Sequence, residues 1–154
     1  MSNPIEEAHQ ALIARLGQIA PGNGYLTDAG TRIKEGWLAD ILQDDGLAYP
    51  FLAIQPADYL PPESGSGCVR ASIGRRVIGA VDPGHPDGYR AQLDALYVDL
   101  ARCLQVAEGV PNPWGRAGPY QVQLGASKLF PPSDGLLAGT VLFPLQLLVI
   151  IPGE

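Results

Sequence analysis

From Tyr89 to Ala107 apolar side chains return every three or four residues: Tyr89, Leu93, Leu96, Tyr97, Leu100, Leu104 and Ala107. This is the period of an α-helix with one dry stripe, sustained for about five turns. Arg90, Asp94, Asp99 and Arg102 are expected on its outer side. A stripe of this length commits the chain to a layered fold, because it has to be covered by another element. Covering it against a sheet contributes about 1.5–3 kcal/mol for each large side chain fully buried.

A second helix is expected at the start. Asn3-Pro4-Ile5-Glu6 supplies a capping side chain, a proline at the first helical position and a glutamate placed to reach back to the cap. Ile5, Ala8, Leu12, Leu16 and Ile19 then share one face, and Pro21 ends the run. The turn Pro21-Gly22-Asn23-Gly24 reverses the chain into an extended segment from Tyr25, with Tyr25 and Thr27 on one strand face. That strand is expected to break near Asp28-Ala29-Gly30 and to resume through Arg32, Ile33 and Lys34 toward Trp37.

The remaining segments read as strands. Tyr49 to Gln55 is apolar with aromatic and branched members, and 56–67 reads as a long connection, stiffened by prolines in its first half and softened by Gly and Ser in its second. Val69, Ala71 and Ile73, then Val77, Gly79 and Val81, fit either one long strand with a bulge or a hairpin. DPGHPDG turns the chain, with Asp87 placed to cap the long helix. Tyr120 to Leu124 alternates, and Thr140 to Ile151 closes the chain as a strand. The fold expected is a single α+β domain over 1–154, a mostly antiparallel sheet with two amphipathic helices packed on one face.

Composition narrows the functional classes. The net charge of −6 argues against a protein that grips nucleic acid, which needs clustered cations; an acidic wall does suit a channel that DNA slides past. Cys68 and Cys103 belong to no paired motif and read as thiols of a reducing compartment. The N-terminus lacks the basic and apolar regions of a secretory signal. The uncharged run from Gly135 contains Pro144 and Gln146 and ends in branched residues, so a sheet strand is expected there and no membrane span.

Tests for chemistry are negative. There is no phosphate loop of the GK[ST] kind, GSGCVR lacks the third glycine of a dinucleotide site, and GASKL has Leu129 where a nucleophile elbow needs glycine. His9 and His85 have no second ligand at metal-site spacing, and Asp82 and Asp87 beside His85 read as a strand end and a helix cap. No catalytic residue, cofactor or metal is therefore expected. Arg70, Arg75 and Arg76 form the only basic concentration and fit either an exposed strand face or pairing with a neighbouring subunit. Trp37 and Trp114 lie beside glycines, as local packing or as interface anchors.

Three stretches carry a family resemblance: NGYLTDAG with the following RIKEGWL, GRRVIGAVDP leading into YRAQLDALYVDLARCL, and FPPSDGLLAGTVLFPLQLLV. In order and spacing they resemble the minor tail proteins of phages, of the tail-terminator type. The resemblance implies a structural protein and no enzyme: a homo-oligomeric ring, usually a hexamer, at the head-proximal end of the tail in the virion and in the host cytoplasm during assembly. Such a ring caps the tail tube protein, stops polymerisation and offers a docking surface to a neck or head-completion protein, with DNA passing through as cargo. Under that resemblance Arg70, Arg75, Arg76, Pro61, Pro62, Trp37 and Trp114 are candidate subunit or ring contacts, and the Pro/Gly loops are expected to order on assembly. Asp28, Asp44 and Asp45 are candidate acids of the lumen. The alternative is another neck component, a head–tail joining or tail-completion protein.

Overall fold

The computed structural model describes residues 3–43, 46–82, 88–105, 114–115, 118–131 and 138–153. Its centre is a pair of 14-residue strands, β4 (Cys68–Val81) and β7 (Gly139–Pro152). They run antiparallel in one unbroken register, from Cys68 opposite Pro152 to Val81 opposite Gly139. The choice between a hairpin and a long strand at 68–81 is thus resolved in favour of one continuous strand. Residues 71–75 and 77–81 of β4 are buried, while Arg70 and Arg76 stand exposed on the side away from the main core.

Two interrupted strands flank this ribbon. β2 (Phe51–Pro56) and β3 (Leu60–Gly65) both pair antiparallel with β4, one along each half. β5 (Gln121–Leu124) and β6 (Lys128–Phe130) do the same along β7. A short β1 (Ile33–Glu35) adds to β2 in parallel. The sheet is therefore mostly antiparallel, in the order β1, β2 with β3, β4, β7, then β5 with β6.

The two interruptions lie at the same level of the sheet, and residues at that level explain them. At 57–59 the chain crosses over Gly74, whose missing Cβ would sit 2.2 Å from the Asp58 carbonyl oxygen. Only glycine permits that approach. On the other side Pro144 stands inside an interior strand, where its missing N–H would ordinarily break the ladder. Its carbonyl accepts from Gly125 N at 2.8 Å, so its donor-free edge faces the lapse between β5 and β6.

Register assigns the faces. Odd positions of β4 and β7, with Leu52 and Ile54 of β2, join α1 (Pro4–Leu16) and α3 (Tyr89–Leu104) in the main core with Leu12, Leu16, Leu93, Leu96 and Leu100. The opposite face is covered at one end only. There Phe51, Ala53, Ile78 and Ala80 pack under α2 (Leu38–Ile41), a third, single-turn helix that the sequence pattern did not announce.

The helical layer follows the expected stripes, but α1 ends at Leu16 with Gly17 as its C-cap and not at Pro21, and three further corrections apply. Asn3 caps α1 by accepting from Ile5 N and Glu6 N, but the Glu6 carboxylate does not reach back; it accepts from Gln10 Nε2 at 2.8 Å. The segment after Gly24 is no strand until Ile33: residues Ala29–Thr31 form a 3₁₀ turn instead. Asp99, expected on the outside of the long helix, is fully buried. Its carboxylate takes Leu26 N, Thr27 N and Thr27 Oγ1 at 2.9, 2.8 and 2.7 Å, so the backbone donors of residues 26 and 27 are satisfied on α3 and not on a sheet neighbour. The Asp87 cap and the helical end near Ala107 lie outside the described residues.

Candidate assembly surface

The end of the sheet that α2 does not reach is open. Arg70 and Ser72 of β4, Leu148 and Ile150 of β7, Leu60 and Glu63 of β3, and Gln121 and Gln123 of β5 share this face by register. Most of them, with Pro61, Pro62 and Tyr120, line a trough of about 590 Å³. Leu60, Tyr120 and Ile150 are each between 43% and 50% exposed, so apolar surface remains in water beside a well-covered core. Ser72 Oγ donates to Gln146 Oε1 at 2.7 Å and Gln146 Nε2 donates to the Asp58 carbonyl at 3.2 Å, which ties β4 and β7 to the 57–59 crossing.

The three arginines separate. Arg70 stands at the trough in an exposed cross-strand pair with Glu63 at 3.3 Å, a contact worth about 0–1 kcal/mol. Arg76 is exposed on the same face at the other end, lining a smaller groove with Leu38 and Phe130. Arg75 points the other way, is buried, and engages His9, Tyr59 and the Gly74 carbonyl. Its candidacy as a subunit contact is withdrawn, because its donors hold the interior of its own chain together.

Pro61 and Pro62 are also relocated. The connection 56–67 is ordered for half its length as β3, and the register shifts between Leu60 and Glu63, where the two prolines sit. A bulge on an edge strand is a place where residues without N–H donors are tolerated. Both prolines remain exposed on the trough wall. Trp37 is 54% exposed at the start of α2, consistent with a contact residue, whereas Trp114 is 7% exposed and belongs to the core. The interface reading of Trp114 is therefore corrected to local packing.

Of the acids named for a lumen, Asp28 is half-exposed and bound to Arg32 at 2.9 Å, and that hydrogen bond holds its carboxyl below the usual value of 3.8. It also borders an apolar pocket of about 350 Å³ between the 26–28 segment and α3. Asp44 and Asp45 lie outside the described residues.

The sequence reading missed a polar relay between layers. Arg75 Nε donates to His9 Nδ1 at 3.1 Å, and His9 Nε2 lies against Glu35 Oε1. This ties α1, β1 and β4 together, and the signal for it was Arg75 alternating with Ile73 and Val77 on the core face. Elsewhere in the core, burial pushes the Cys103 thiol up to about 11, opposed by the nearby Arg15. Among the described residues no three His, Cys, Asp or Glu side chains gather as a metal site, and no helix is long and apolar enough to cross a membrane. From Gly139 onward the last apolar run is β7.

The chain matches no family model and no curated protein. The open half of the sheet, and the fate of each side chain on it, therefore carry the functional argument together with the resemblance in the sequence.

Proposed function

We propose that this protein is a structural component of a phage virion, a tail terminator that closes into a ring on the head-proximal end of the tail tube. The observation that carries the reading is the unequal covering of the sheet: helices close one face, α2 closes half of the other, and the trough half keeps Leu60, Tyr120 and Ile150 in solvent.

A tube elongates because each added ring recreates the surface that received it. A terminator has to match the tube on one side and present something different on the other. A subunit with dissimilar surfaces meets that requirement, and head-to-tail contacts with a closing rotation generate a ring. In this reading six copies form the ring, the tail tube protein binds one face, a neck or head-completion protein binds the other, and DNA crosses the lumen without being held. The work is done by shape and apolar contact, with no catalytic step and no cofactor.

Electron microscopy of lysates from a phage lacking the protein tests this. Tails of abnormal length that return to normal when the protein is supplied are expected. Tails of normal length that fail to join heads would replace this reading with that of a head-side adaptor, and intact virions would remove both.

A further inference from the structure

We propose that His9 is a proton-operated latch: its neutral ring holds the β2–β3 crossing against the sheet, and protonation of the ring releases it. The direction of the hydrogen bonds fixes the resting state. Arg75 Nε carries a hydrogen and cannot accept, so at 3.1 Å His9 Nδ1 is the acceptor and carries none. The ring proton then sits on Nε2 and is donated to the Glu35 carboxylate.

The same Arg75 extends the chain of contacts to the crossing. Its NH1 donates to the Tyr59 hydroxyl at 3.0 Å and to the Gly74 carbonyl at 2.8 Å, and the guanidinium lies 5.6 Å from the Tyr59 ring centre. Ala57 N donates to the same Gly74 carbonyl at 3.1 Å. Residues 57–59 are thereby pinned at both ends, and Leu60, which follows directly, forms part of the trough wall.

Protonation adds a hydrogen to Nδ1, where Arg75 Nε–H already points. Two donors and two positive charges then meet where one hydrogen bond stood. Glu35 of β1 favours the charged ring but touches the opposite nitrogen, so it supplies no acceptor between Nδ1 and Arg75 Nε. Tyr59 is the group that faces Arg75 from the crossing, and on α1 itself Glu6 is bound to Gln10 and Glu7 is exposed to solvent. The guanidinium is displaced from the ring, and Tyr59 loses the donor that Arg75 NH1 supplied.

The test uses the isolated full chain, and so stands apart from the assembly reading. Nitrogen NMR of the histidine rings at neutral pH is expected to show His9 in the Nε2–H form. As His9 titrates, the hydrogen-exchange protection of Ala57 N–H, corrected for intrinsic rates, is expected to fall by roughly three- to tenfold, as for the loss of one hydrogen bond. In His9→Gln, whose amide both accepts and donates but does not titrate, that fall is expected to vanish. An Nδ1–H tautomer at neutral pH overturns the proposal. So does Ala57 protection that is unchanged through the His9 titration in the wild-type chain, or one that follows pH equally in His9→Gln.

Discussion

Asp99 Oδ2 on α3 receives both the backbone N–H of Thr27, at 2.8 Å, and its hydroxyl, at 2.7 Å, while Oδ1 receives Leu26 N at 2.9 Å. A fully buried carboxylate thus replaces the sheet partner that 25–28 does not have. Asp99→Asn keeps the shape but turns an amide toward donors, and it is expected to destabilise the fold by about 1–3 kcal/mol. Thr27→Val removes only the hydroxyl and is expected to lose about 0.5–1.5 kcal/mol. Urea unfolding of both single variants and the double variant checks this. Because the two residues share one contact, the double variant should lose less than the sum of the two.

Gly30 and Gly22 make a matched pair eight positions apart. A Cβ on Gly30 would lie 2.4 Å from the Leu16 carbonyl oxygen and 2.8 Å from Ile19 backbone atoms, while one on Gly22 meets nothing within 4 Å. The Gly30 N–H also donates to Ile19 O at 3.0 Å, so the close approach is a bonded one. Gly30→Ala is expected to destabilise by at least ~1–3 kcal/mol, since backbone atoms cannot yield as a side-chain end does. Gly22→Ala is expected to be neutral or to stabilise by up to about 1 kcal/mol through the unfolded chain. Thermal unfolding of the two variants separates these outcomes.

Cys103 predicts an alkaline dependence. Its thiol is buried between α3 and α1, donates to the Arg15 carbonyl at 3.2 Å, and is pushed by desolvation from the ordinary 9.0 up to about 11. A group raised in the fold keeps its proton there after the unfolded chain has lost it. Its contribution to stability is therefore fully present below pH 9 and is lost as pH rises toward 11. Denaturation midpoints measured across that window should decline in the wild-type chain and decline less in Cys103→Ala. In the native protein at pH 8, a thiol reagent should modify Cys68, which is half-buried in the β3–β4 hairpin, well before Cys103.

The helical period at 89–104 was readable because five turns of local sequence decide it, and the apolar 51–55 and 140–151 segments were readable as strands for the same reason. What local sequence does not carry is which neighbour satisfies a polar group. Asp99 lies three residues after Leu96 and four before Cys103, on the margin of the buried stripe, and only the arrival of Leu26 and Thr27 makes a buried carboxylate acceptable there. Arg75 is comparable: alternation put it on the core face, but its charge suggested an exterior until His9 and Tyr59 were seen to receive it. β3 was hidden by its prolines, whose missing donors are harmless only because the register slips at them. The open half of the face follows from counting even positions along β4 and β7, yet its being open depends on how far α2 reaches, which no periodicity encodes.

Ile150 and Tyr120 test whether that opening is used. Ile150 stands opposite Arg70 in register on the same open face and is 43% exposed; Tyr120 lines the trough and is 47% exposed. Neither belongs to the main core, so Ile150→Lys and Tyr120→Ala should cost the fold about 1 kcal/mol, the share due to a half-covered side chain, and leave it folded. Ile150→Lys places two cations opposite each other on a face that must dehydrate to be covered, and desolvating unpaired charge is far more costly at an interface than in water. Assembly should therefore suffer where the isolated domain stays folded. If the protein is the tail terminator proposed above, phage carrying either change are expected to produce misshapen or overlong tails, while Ala14→Lys, on the exposed side of α1, leaves tails normal. Purified variants that stay folded and still support tails of normal length would show that the trough faces nothing in the virion, and the assembly reading would lose the observation on which it rests.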